Sequence, residues 1–186
     1  MFRKHHIERP HMSLPIPAGT YGIDSWHSQL SFAIKHLGIS TVNGRFDAYE
    51  GSLTVGEDLA STQVSISADM ASVNSGNTMR DQHIQGPDFF DSENHPKLTF
   101  TSTGISGSGD NYQLTGDLTL RGVTKPVSLA VDFNGSNVFP VDQSTHFGFT
   151  ATGSISRADF AMTYGAPLVL SDNVKLNLDV QFVKPA

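Results

Sequence analysis

From Leu30 to Phe182, one segment after another alternates apolar with polar side chains. The last is the most regular: Val174, Leu176, Leu178, Val180 and Phe182 are apolar, and Lys175, Asn177, Asp179 and Gln181 between them are polar. A period of two is what a β-strand needs when one face meets a core and the other meets water. Similar runs lie at 30–35, 42–55, 64–70, from Leu98, at 112–120, 127–133 and 147–155, and Tyr21–Asp24 opens the series, so eight or nine strands are expected. That many strands in one small domain give an antiparallel sheet folded into a sandwich or closed into a barrel.

The connections agree. Gly107–Asp110 and Arg121–Lys125 sit between alternating runs and carry hairpin chemistry. Two connections are long. Residues 72–96 hold the one helix candidate, Thr78–Gln85, with Asn77 as N-cap and Gly86 as stop. Residues 156–172 are rich in apolar and small residues. Long connections inside a compact domain tend to be lids or binding loops. Residues 1–18 are polar and contain three prolines, which reads as a flexible arm before a domain spanning 19–186.

Composition removes several function classes. The 186 residues carry a net charge of −6 with scattered acidic groups, so no nucleic-acid partner is expected. With no cysteine, disulfides and thiolate metal sites are excluded. No stretch reaches the roughly 20 apolar residues of a membrane span, so stable membrane insertion is not expected. The N-terminus lacks the apolar core of a secretory signal, which reads as cytoplasmic; a periplasmic or secreted protein whose signal was removed is the alternative.

An eight-stranded barrel is just wide enough to be packed solid or to hold one small ligand. Small residues share parity with large ones: Ala68 with Ile66 and Met70, Gly116 with Leu114 and Leu118, Ala151 and Gly153 with Phe149. If these faces point inward they leave volume; the alternative is that they fit the taper of a packed barrel. Hardly a charge shares the inward parity, so a ligand would be long and apolar, with its polar atoms at the mouth.

The chemistry-bearing clusters are few. Asp24, His27 and Ser28 resemble triad ingredients, but neighbours on an extended segment point apart and no G-x-S-x-G elbow exists, so a side-chain-capped turn is the favoured reading. Arg80, Asp81 and His83 read as a helix with structural ion pairs, or as a lid presenting Arg80 or His83 to a head group. Phe89 and Phe90 read as a loop anchor at a cavity rim, and Arg157 with Asp159 as an ion pair pinning the long loop. His83 and His95 stand twelve apart without metal-ligand spacing, so no metal site is expected. Convergence of Asp24, His27, His83 or Arg157 on one cavity would make an enzyme instead; a barrel filled by its own Phe side chains would make a scaffold.

In order along the chain stand Y-G-I-D-S-W-H-S (21–28), V-N-G-R-F (42–46), R-D-Q-H (80–83), D-F-F-D (88–91), H-P-K-L-T-F (95–100), G-D-L-T-L-R-G-V-T-K-P-V (116–127) and R-A-D-F (157–160). This ordered set resembles the YceI-like, or lipid/polyisoprenoid-binding, family from about Gly19 to Val183. The resemblance implies an all-β, extended lipocalin-like eight-stranded antiparallel barrel with one short helix in a connection. It implies non-enzymatic binding, storage or transport of a long-chain amphiphile, an isoprenoid or fatty-acid derivative, with no cofactor and often a homodimer; an exposed edge or the apolar loop 160–170 would be the surface that pairs two subunits. From parity, the expected ligand wall is Phe32, Ile34, Phe46, Ile66, Met70, Met79, Ile84, Phe100, Leu118, Leu120, Phe147 and Phe149, with Arg80, His83 and Arg121 as polar contacts at the mouth.

Overall fold

The computed structural model describes residues 12–184. Eleven strands run in sequence: β1 Gly19–Ile23, β2 Gln29–His36, β3 Ser40–Phe46, β4 Tyr49–Val55, β5 Gln63–Asp69, β6 Val73–Asn74, β7 Lys97–Ser108, β8 Asn111–Leu120, β9 Val123–Val138, β10 Thr145–Ser156 and β11 Leu170–Val183. One helix, α1 Thr78–Gln85, lies between β6 and β7. All pairings are antiparallel, and β1 pairs with both β4 and β11, which closes the sheet on itself.

Eleven segments fill eight barrel positions, because three positions are each made of two segments. β11 pairs β2 through Leu170–Asp179 and β1 through Phe182–Val183, so β1 and β2 are one long strand interrupted at Asp24–Ser28. β3 with β4, and β5 with β6, form two more interrupted strands. Side chains bridge the interruptions. The Ser28 hydroxyl accepts the Gln181 N–H (2.9 Å), and the Ser72 hydroxyl accepts the Ala48 N–H (3.0 Å), replacing ladder partners that the kinks remove. Of the two architectures that the alternation left open, the closed barrel is the one present.

The strand directions define two ends. Hairpin 37–39, α1 with the segment after it, turn 121–122 and loop 157–169 gather at one end. Turns 56–62, 109–110 and 139–144 lie at the other, where the segment before β1 also sits. Arg121 (φ 52°) and Gly122 (φ 72°) form a tight hairpin with both residues left-handed, which suits the right-handed strand twist. Residues 1–11 of the expected N-terminal arm lie outside the described residues. Residues 12–18 are not loose: Leu14 and Ile16 are buried in the core cluster, and the Leu59 N–H donates to the Met12 carbonyl (2.9 Å). Two apolar residues two apart suffice to seat the segment across the barrel end.

Candidate functional site

The barrel encloses a cavity of about 760 Å³. Of the expected wall, Phe32, Ile34, Phe46, Ile66, Ile84, Phe100, Leu118, Leu120 and Phe149 line it, and Arg80 and His83 reach it from α1. All five inward residues of β11, Val174 to Phe182, line it as well. The parity that identified this strand as amphipathic thus also picks out its cavity face.

Three expected wall residues are elsewhere. Met79 is 82% exposed, because it sits in the first turn of α1, facing away from the barrel. Met70 is fully buried but off the cavity: β5 ends at Asp69, and the 3-10 turn Met70–Ser72 takes its side chain out of the alternation. Phe147 is buried below the cavity, its ring 5.2 Å from that of Tyr21 at the closed end. Other lining residues were not expected. Ile105 lines the wall although Phe100 has the opposite parity, because a bulge between Ser102 and Gly104 shifts the register of β7. Met162, Tyr164 and Val169 come from the long loop, where no period exists to read.

The glycines of the wall do not simply leave space. Phe32 lies flat over Gly44, where a Cβ would stand 2.3 Å from its Cζ, and Phe100 lies over Gly116 in the same way. At both places a ring from the neighbouring strand occupies what the missing side chain would fill.

Polarity changes along the cavity. At the closed end Leu14, Leu53 and Leu114 are buried, and Tyr112 donates its hydroxyl to the Gly109 carbonyl (2.6 Å). At the other end the lining residues Ser40, Thr41, Arg80, His83, Tyr164 and Val169 are solvent-exposed, which marks the mouth. There His83 meets Phe89 and Tyr164 edge-on, each with ring centroids 5.0 Å away, and its Nε2 lies 2.9 Å from Asp88 Oδ2. The expected Arg80–Asp81 ion pairing is replaced by Ser75. Arg80 donates to the Ser75 hydroxyl (2.7 Å) and carbonyl (2.6 Å), while Asp81 accepts the Ser75 N–H (2.8 Å). Arg121 does not line the mouth. Its guanidinium donates to the carbonyls of Ala161 (2.8 Å) and Pro87 (2.9 Å), tying the long loop to the segment after α1.

Arg157 also departs from expectation. It is 3% exposed, and its guanidinium donates to the carbonyls of Met162, Tyr164, Leu170 and Ser171, at 2.9–3.2 Å, rather than to Asp159. Burial lowers its pKa, and the Asp172 charge acts the other way. The Asp24 turn stands apart from the cavity: Asp24 accepts the Trp26 N–H (3.0 Å), and its Oδ2 lies 2.7 Å from His27 Nδ1 and 3.7 Å from His146 Nδ1. Burial pushes the Asp24 carboxyl up, but the His27 bond and the Trp26 N–H outweigh it and hold the group below its usual value. Asp24 and His27 therefore share one network away from the cavity, while His83 and Arg157 both line the cavity but make different hydrogen bonds, His83 to Asp88 and Arg157 to backbone carbonyls. Among the described residues no three His, Asp or Glu side chains form a metal set, and no helix is long and apolar enough to cross a membrane.

Comparison with known proteins places this geometry. The model of the YceI-like domain matches residues 21–182. A UPF0312 protein of Photorhabdus laumondii and Protein YceI of Escherichia coli are each 38% identical over 146 residues, 77% of this chain and 76% of theirs. The Campylobacter jejuni YCEI protein, 32% identical, superposes with a TM-score of 0.74 over 82% of this chain and 90% of its own. Burkholderia cenocepacia BcnA (TM-score 0.77, 22% identity, 86% and 98% covered) and a polyisoprenoid binding domain from Saccharophagus degradans (0.65, 18%, 89% and 98%) share the fold.

Proposed function

Because this chain belongs to the YceI-like family, we propose that it binds one long-chain apolar amphiphile, an isoprenoid or fatty-acid derivative, inside the barrel, and stores or carries it without chemical change. The observation that carries this reading is the polarity gradient of the cavity: an apolar interior closed at one end, with exposed Ser, Thr, Arg, His and Tyr side chains at the open one. That gradient matches a ligand with an apolar tail and a polar head. The Asp24–His27 pair lies away from the cavity, and the Arg157 guanidinium on the cavity wall is taken up by backbone carbonyls, which supports binding over catalysis.

Magnitudes bound the ligand. If each heavy atom takes about the 30 Å³ that a water occupies in the liquid, 760 Å³ holds roughly 25 of them. Each buried methylene contributes about 0.8 kcal/mol. Micromolar affinity needs about 8 kcal/mol net, and association costs at least about 4. Burial of the tail alone then requires some 15 carbons. The reading favours tails of about 15 to 25 carbons.

Native mass spectrometry of the purified protein, followed by extraction, tests it. A stoichiometric species with such a tail is the expected result. A protein that carries none and also takes up no added isoprenol or fatty acid would refute the reading. Ala151→Phe projects a ring from the cavity wall; it should retain the fold and shift the preferred tail to shorter chains.

A further inference from the structure

At the open end, beside α1 with its Arg80 and His83, two neighbouring tips form an uncharged apolar crown. Hairpin 37–39 presents Leu37 and Ile39, and the long loop presents Leu168 and Val169; Ile39 and Leu168 are each 85% exposed. The two tips are joined, since the Leu37 N–H donates to the Val169 carbonyl (2.8 Å). In a chain with 16% charged residues, neither 37–44 nor 160–171 contains Asp, Glu, Lys or Arg. Tyr164, exposed at the mouth, adds an amphipathic ring of the kind that favours a membrane–water boundary.

We propose that this crown docks reversibly on the surface of a neutral lipid bilayer, placing the mouth against the acyl region, so that the ligand passes between bilayer and cavity without crossing water. The inference rests on the binding function proposed above. Three observations favour a bilayer as the occupant. The crown borders one side of the mouth of an apolar cavity, and the source of an apolar-tailed ligand is an apolar phase. The tips lack the charges that would resist burial at an interface. A second copy seated here would instead seal the mouth through which the ligand passes. Docking of this kind needs no membrane span; it follows from the apolar area that the tips bury in the headgroup boundary.

The orientation is testable with tryptophan. The chain has one, Trp26, 91% exposed on the turn that follows β1, towards the closed end. With phosphatidylcholine vesicles, Trp26 emission should stay unchanged. Leu168→Trp in a Trp26→Phe background should shift to the blue. A blue shift of Trp26 with none at position 168 would assign docking to the wrong end and overturn the proposal. Vesicle flotation gives the energetics. Burying one Ile or Leu is worth roughly one to two factors of ten in partitioning, so Ile39→Glu with Leu168→Glu should lower vesicle binding at least roughly 100-fold. Both side chains are exposed, so folding should be unaffected, and uptake of ethanol-dispersed pyrene-labelled palmitate should persist. The rate of transfer of that probe should rise with acceptor-vesicle concentration for the unaltered protein and not for the double variant. Equal flotation of the two proteins would overturn the proposal. So would a dimer that the double variant splits while the unaltered protein ignores vesicles, because the crown would then be a contact between copies. Failure of palmitate uptake from every source would count against the binding function, whereas flotation would still report docking.

Discussion

Single residues set where the barrel wall is thin and where it is rigid. Gly44 and Gly116 are sites of close approach, each covered by a ring from the adjacent strand. Gly44→Ala should force Phe32 out of its place and cost about 1–3 kcal/mol, the usual cost of overpacking; urea unfolding measures it. Carboxylates set the acid limit. Asp24 is held low by His27 and the Trp26 N–H against the opposing effect of burial. Asp172 is held low by the Ser156 hydroxyl and the Ala158 N–H. A carboxyl with a depressed folded-state pKa contributes stability above its unfolded value of about 3.9, and that contribution is lost as pH falls through the folded value. Asp24→Asn and Asp172→Asn should therefore destabilise at about pH 7, and the difference from the unaltered protein should shrink below about pH 4. Denaturant titration at both pH values checks this.

At the scale of elements, the strands, the helix Thr78–Gln85 and the two short hairpins were legible and the long loop 157–169 was not. β11 could be read face by face, because one strand in one register keeps one parity. β7 could not, because the bulge at Ser102–Gly104 exchanges its faces, and nothing in T-S-T-G-I fixes where the extra residue falls. Met70 misleads for a similar reason, since the strand ends one residue before it. In the loop 157–169, the long-range partners of Arg157 are backbone carbonyls, which carry no sequence signature. Arg157→Met should leave those carbonyls without their charged donor, at about 1–3 kcal/mol for each one that water cannot reach. We expect a lower melting temperature and faster amide exchange across 160–170. Unchanged exchange there would mean that Arg121 and the backbone bonds hold the loop alone.

At the scale of the whole molecule, the cavity exists because one end is closed and the other is not. Leu14 and Ile16 belong to the core although they precede the first strand. Leu14→Ala should cost about 2–3 kcal/mol, which lowers the melting temperature by about 4–12 °C for a chain of this size; it should also deepen the cavity floor. Period-two patterning and ordered motifs are local along the chain, so the strand class, most of the apolar inward set and the family could be read from the residues alone. The pairing of eleven segments into eight positions, the rings rather than voids over the wall glycines, and the meeting of uncharged tips from hairpin 37–39 and loop 157–169 beside one mouth exist only once the chain is folded. Those outcomes depend on which strand lies beside which and in what register, and the side-chain alternation within one strand is the same whatever neighbour it acquires.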